Sequence, residues 1–196
     1  MDTWFGRMAD IPGIQFQGSP GVDRSRLPEA NVRPSTEYGY LHWPTSDGTT
    51  SVSPAQRRWT GDTRSVALDD LVRWVWEGLE LPGQSLDYHF VLQGAVDRLW
   101  AARASYPAGL QHVEIFAAAD LALLEAVPQI ALRDRARPAE GFLRISSLTV
   151  LLTLLEQEGA VREALALSRR AQRVGGEAFV RVDLEAKVAA LDGEDR

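Results

Sequence analysis

Apolar residues recur every three or four positions through residues 66–196, the spacing that gathers side chains on one face of an α-helix. Proline and glycine interrupt this pattern at points where helices end. The pattern predicts a domain of five or six helices over residues 66–196. The first predicted helix begins near Ser65 and is ended by Leu81-Pro82-Gly83. The others run from about Leu86 to Ala104, from about Leu110 to Val127, in a central pair over residues 142–176, and from after Gly176 to a stop at Asp192-Gly193.

The central pair has the most regular pattern. Its first helix places four leucines on one face, and its second helix returns with a stripe of mixed apolar and small residues. Gly159 stands between the two helices, where a residue that adopts the left-handed conformation closes a helix. Ala164 and Ala171 allow the second helix to approach the first closely. The two stripes are Leu148, Leu151, Leu152 and Leu155, then Val161, Ala164, Leu165, Ser168 and Ala171.

This pair of helices resembles a tetratricopeptide repeat. Large, turn and small residues stand at positions where that motif has them, and these are Leu148, Leu151, Leu155, Gly159, Ala164 and Ala171. The sequence departs from the motif at Leu152, Ser168 and Gly176, which replace a small residue, an aromatic residue and a proline. The resemblance implies stacked antiparallel helical hairpins, with a binding groove lined by the polar face of the first helix.

A polar stripe on the first helix of the pair is the candidate partner-binding surface. Its positions are out of phase with the leucine stripe, so they point away from the contact between the two helices. The resemblance places them on the groove side of the repeat. Two other interpretations stay open, because short hydroxyl residues tolerate both solvent and a covering arm. The stripe consists of Ser146, Thr149, Thr153 and Glu156.

Residues 1–65 show no sustained helical period and predict an extended N-terminal arm. Six of the ten prolines and seven of the 16 glycines of the chain lie in this region. Its many aromatic residues would be costly to leave in water, so we expect the arm to lie on the helical domain. Within the arm, residues 37–43 and 49–53 flank Asp47-Gly48 and predict a small β-hairpin.

Together these elements predict an all-α fold of antiparallel helical hairpins, in a tetratricopeptide-like or bundle arrangement, with an extended arm that contains a β-hairpin. At 196 residues and 45% hydrophobic composition, the chain can bury a substantial core. No apolar run is long enough to span a membrane, and no signal-peptide pattern occurs, so we expect a cytoplasmic protein without a membrane partner. Twenty of the 21 basic residues are arginine, which indicates a GC-rich bacterial genome.

The reactive residues predict no catalytic, cofactor or metal site. The chain has no cysteine, which excludes disulfides, thiol catalysis and thiolate metal ligands. His42, His89 and His112 stand at no spacing typical of zinc ligands, and no phosphate-binding loop or hydrolase motif occurs. Four arginines form a candidate anion-binding patch, although Asp134 and Glu140 weaken its field. These arginines are Arg133, Arg135, Arg137 and Arg144.

The leading functional hypothesis is a non-catalytic adaptor that binds a protein segment or assembles with copies of itself, because helical repeats offer grooves rather than chemistry. An alternative is an enzyme whose site lies between the arm and the helical domain and uses His42 or His89. A further alternative is a nucleic-acid accessory protein. The net charge of −6 argues against that function, while the arginine patch keeps it open.

Overall fold

Six α-helices form the body of the computed structural model, which describes residues 3–59 and 66–194. They are α1 (Leu68–Leu79), α2 (Ser85–Ala101), α3 (Leu110–Ala126), α4 (Ser146–Gln157), α5 (Val161–Gly175) and α6 (Val182–Glu194). Each corresponds to a predicted helix, so the periodicity after residue 66 is confirmed as helical. The start predicted near Ser65 lies outside the described residues.

A small antiparallel sheet occupies the middle of the arm, so the fold is mostly helical rather than purely so. Its strands, in spatial order, are β1 (Ser35–Glu37), β2 (Tyr40–Thr45) and β3 (Gly48–Thr50). Thr45 pairs with Gly48, which confirms the predicted hairpin. A single strand over residues 37–43 is wrong, because Tyr38 and Gly39 form a second turn between β1 and β2. Their φ angles of 52° and 85° suit a two-residue hairpin loop.

The helices pack largely in chain order. α2 packs against α3, α4 packs against both of them, α5 packs against α4, and α6 packs against α5. Gly159 joins α4 to α5 with a φ of 76°, the left-handed turn that the sequence predicts. Ala164 and Ala171 are fully buried on α5, where their small side chains permit close approach. Among the described residues, no helix combines the length and apolar character that crossing a membrane requires.

Apolar side chains of the arm are buried together with those of the helices. Met8, Ile11, Ala30 and Ala55 belong to the same core cluster as the helix residues. Hydrophobic burial therefore stabilises the contact between the arm and the helical body directly. The first part of the arm also exchanges a pair of backbone hydrogen bonds with the loop after α1, through Phe5 and Gly83.

Glu80, which follows α1, binds three separate parts of the arm. Its buried carboxylate accepts the backbone N–H of Ser19 at 2.7 Å and lies 3.4 Å from the guanidinium of Arg7. Its backbone carbonyl accepts a hydrogen bond from Arg24 Nε at 3.1 Å. Arg24 also donates to the carbonyls of Gly6 and Ala30, so one guanidinium joins distant turns of the arm to the end of α1.

Candidate functional site

The polar stripe of α4 is bound to neighbouring segments at both of its ends. At the first end, the backbone N–H of Ser146 donates to Gln93 Oε1 of α2 at 2.8 Å, and its hydroxyl donates to Asp97 Oδ2 at 2.9 Å. At the other end, Glu156 accepts two hydrogen bonds from Arg181, at 2.5 and 2.8 Å. Two of the four predicted contact residues therefore bind segments of the protein outside α4.

The middle of the stripe is open to solvent. Thr149 is exposed and Thr153 is half-buried, with the arm in place. The Thr149 hydroxyl donates to the carbonyl of Ile145 at 3.3 Å, and the Thr153 hydroxyl donates to the carbonyl of Thr149 at 2.9 Å. The described part of the arm does not cover Thr149, so this stretch of α4 is accessible to another molecule.

An aromatic pair continues this surface on α2. Phe90 precedes Gln93 by three positions, so the two side chains lie on the same face of the helix. The Phe90 ring meets the Trp59 ring edge to face, with the ring centres 6.5 Å apart. More than a third of each aromatic residue is exposed, 36% for Phe90 and 37% for Trp59. We call the surface formed by Trp59, Phe90, Gln93, Asp97, Thr149 and Thr153 the α2–α4 face.

The carboxylates at the two ends of the α4 stripe both have partners, which are Arg181 for Glu156 and the Ser146 hydroxyl for Asp97. The hydrogen bonds from Arg181 hold the pKa of Glu156 below its usual value, although burial acts in the opposite direction. At the other end, removal of water raises the pKa of Asp97, while the hydrogen bond from Ser146 and the charge of Arg144 act to lower it. The stretch between these charges, around Thr149, is uncharged.

The four arginines of the predicted anion patch have different surroundings. Arg137 forms salt bridges with Asp134 at 2.8 Å and with Glu140 at 2.5 Å, which neutralise much of its charge. The positive charge of Arg144 acts to lower the pKa of Asp97, beside α4. Arg133 and Arg135 are exposed, and Arg135 lines a cavity.

That cavity has a volume of about 400 Å³ and lies between the arm and the helical body. Its lining includes Phe5 and Ile11 of the arm, Gln84 and Ser85 at the start of α2, and Arg135. Neither His42 nor His89 lines it, so the structure does not place those histidines at this contact between arm and body. Within residues 3–59 and 66–194, no group of three histidine or carboxylate side chains is arranged to hold a metal ion.

His89 instead belongs to a fully buried polar cluster that the sequence patterns did not predict. Its Nδ1 lies 2.7 Å from Asp120 Oδ1, and the Ser147 hydroxyl donates to Asp120 Oδ2 at 2.5 Å. The serine thus binds the carboxylate and not the imidazole, so this is not a nucleophile activated by a base. The cluster joins α2, α3 and α4. Its one sequence signal is Asp120, which interrupts the apolar stripe of α3 three positions after Ala117.

The charge state of His89 is set by two opposing influences. Burial disfavours the imidazolium, whereas the charge of Asp120 and its hydrogen bond favour that form and outweigh burial. The pKa of His89 is therefore raised above its usual value. His89 Nε2 is buried and has no hydrogen-bond partner.

Comparison with known proteins returned no match: no protein-family model, no curated protein and no solved structure matches the chain.

Proposed function

We propose that the protein is a non-catalytic helical interaction module that binds a segment of another protein on the α2–α4 face. The observation that carries this proposal is the accessibility of Thr149 between two carboxylates that already have hydrogen-bond partners within the chain. The partly exposed aromatic pair of Trp59 and Phe90 continues the same surface. Aromatic residues are enriched at the buried centre of binding interfaces and among the residues that contribute most to binding.

The packing order of the helices also supports the proposal. α4 contacts both helices of the preceding pair and then packs against α5. In a tetratricopeptide-like stack, the first helix of each pair lines the binding groove. Under this proposal α2 and α4 are those first helices, which puts their exposed polar residues on one surface.

The chemistry of the α2–α4 face defines the partner that we propose. Glu156 forms a salt bridge with Arg181, and Asp97 lies in the field of Arg144, so a bound segment does not need charged groups to neutralise them. Trp59 and Phe90 suit an aliphatic or aromatic anchor, and the stretch around Thr149 suits uncharged hydrogen-bonding groups. The expected ligand is therefore an uncharged protein segment with at least one large apolar side chain.

The test of this proposal is the double substitution Thr149→Arg and Thr153→Arg. Partners are captured from cells of the source organism by proximity labelling, and each purified candidate is titrated by calorimetry against both proteins. We expect the double substitution to weaken binding at least about tenfold, because two long cations would occupy the neutral middle of the face. Helicity and melting temperature should hardly change, because Thr149 is exposed and Thr153 is only half-buried.

The matched control is the pair Gln157→Arg and Ala166→Arg, which adds the same charge at two exposed positions of α4 and α5. The control should bind like the wild type. Equal binding by the Thr149 and Thr153 variant would contradict the proposal, and so would its unfolding, since that would show the face to be buried. Sedimentation velocity of the wild-type protein alone over a concentration range tests the alternative, in which a second copy of the chain occupies the α2–α4 face.

A further inference from the structure

The cavity between arm and body has the size and lining of a small-molecule site. Its volume of about 400 Å³ lies within the range of pockets that hold small ligands. Phe5, Pro12 and Val127 give it accessible apolar surface, while Gln84 and Ser85 add polar groups. Arg135 is the one charged side chain among the described residues that line it.

Arg135 lacks a counter-charge within the described part of the chain. Its neighbour Arg137 has two carboxylate partners, Asp134 and Glu140, whereas no carboxylate lies within salt-bridge distance of Arg135 there. A guanidinium that faces a cavity without an anionic partner favours an anionic ligand, because its planar donors match carboxylate and phosphate oxygens. The cavity therefore combines apolar and polar lining with one cation that has no ion-pair partner among the described residues.

The surroundings strengthen the positive field of the cavity. Ala126 lines both this cavity and an adjoining depression. In that depression, Arg170 and Arg173 both bind the single carboxylate of Glu125, each at 2.7 Å. Arginines thus outnumber carboxylates along this part of the surface, although the whole chain has a net charge of −6. This local excess would attract a small anion toward the cavity.

We propose that the cavity binds a small amphiphilic anion, with its carboxylate or phosphate head group on Arg135 and a short apolar chain against Phe5, Pro12 and Val127. This site is separate from the α2–α4 face and does not depend on the proposed function. The arm and the helical body both contribute to the cavity wall, so a bound anion holds them together. Ligand binding therefore raises the melting temperature by mass action.

The test uses three probes of one chain length, namely octanoate, octyl phosphate and octylammonium, added at millimolar concentration to the full-length protein. We expect octanoate or octyl phosphate to raise the melting temperature and to give saturable binding by calorimetry, and octylammonium to do neither. The two anions distinguish the carboxylate from the phosphate source. Amide hydrogen exchange in residues 3–12 should slow when the anion binds, because that segment forms part of the wall.

Three variants test whether the anion is bound through Arg135 and inside the cavity. Arg135→Gln should weaken binding of the anion at least about tenfold, since a hydrogen-bonded ion pair is lost. Arg133→Gln is the matched control, because Arg133 is exposed in the same loop but does not line the cavity, and it should bind like the wild type. Ala126→Trp should also abolish binding by filling the cavity.

Three outcomes would overturn the proposal. One is unchanged affinity in Arg135→Gln, and another is equal binding of octylammonium, which would mean that only the apolar chain is recognised. The third is the absence of saturable binding by either anion in a wild-type protein that remains folded. Circular dichroism of every variant establishes that the fold is intact, so loss of binding is assigned to the cavity.

Discussion

At the level of single residues, one buried carboxylate organises the contact among three helices. Asp120 on α3 binds His89 on α2 through one oxygen and Ser147 on α4 through the other. All three residues are inaccessible to solvent. A buried carboxylate is costly without partners, so the three side chains stabilise the fold as a unit and not as independent contacts. Removal of either partner would leave part of the carboxylate unsatisfied.

This arrangement predicts a pH dependence of stability. The imidazole of the unfolded chain titrates near 6.5, and the pKa of folded His89 lies above that value. At a pH between these two pKa values, the folded state keeps a proton that the unfolded state has lost. The stabilisation is fully present below the unfolded pKa and is lost as the pH rises through the folded pKa.

We therefore expect the difference in unfolding free energy between wild type and His89→Gln to be larger near about pH 6 than near about pH 9. Urea unfolding at a series of pH values measures it. Asp120→Asn should cost about 3–5 kcal/mol near neutral pH and should also remove most of this pH dependence, because the charge that raises the pKa is gone. A constant difference across the series would contradict the raised pKa of His89, because only equal pKa values in the folded and unfolded states give no pH dependence.

At the level of elements, the sequence predicts the helices well because each depends on neighbours a few residues apart. Leu148, Leu151 and Leu155 specify one face of α4 within a single segment, and Gly159 specifies the turn. The long-range polar contacts have no such local signal. Arg24 and Glu80 are 56 positions apart, and both are of residue types that usually lie on protein surfaces. The same reason explains why the link from Asp120 to His89 could not be predicted from spacing.

Arg24 should therefore make a large contribution to the stability of the arm, although it lies in an irregular segment. Arg24→Met removes hydrogen bonds to three backbone carbonyls, of Gly6, Ala30 and Glu80. We expect a loss of about 2–3 kcal/mol and faster proteolysis of the arm, because charge-assisted bonds to partly buried carbonyls are removed. The control is Arg26→Met, since Arg26 is exposed, and it should change stability by less than about 0.5 kcal/mol. Equal effects of the two substitutions would contradict the role of Arg24.

At the level of the whole molecule, the arm and the helices share one hydrophobic core. Met8 is fully buried in the same cluster as Leu124 of α3, although more than a hundred residues separate them in the chain. The composition of residues 1–65 predicts an arm that needs to cover its apolar side chains. The sequence did not specify which helices it contacts, because irregular segments have no period that assigns a buried face. The core contacts make the arm a structural part of the fold and not an appended tail.

A shared core predicts a single unfolding transition in which both parts lose structure together. Met8→Ala and Leu124→Ala should each lower the free energy of unfolding by about 2–5 kcal/mol and should shift the same transition, because both leave a cavity in one cluster. Circular dichroism follows the helices, while tryptophan fluorescence includes Trp4 and Trp43 of the arm, so the two signals should change at the same denaturant concentration. Tyr38→Ala is the control, since Tyr38 is 98% exposed at a hairpin turn and should leave the midpoint almost unchanged. If Met8→Ala shifted the fluorescence transition and left the helical transition in place, the arm would unfold independently and the shared core would not couple it to the helices.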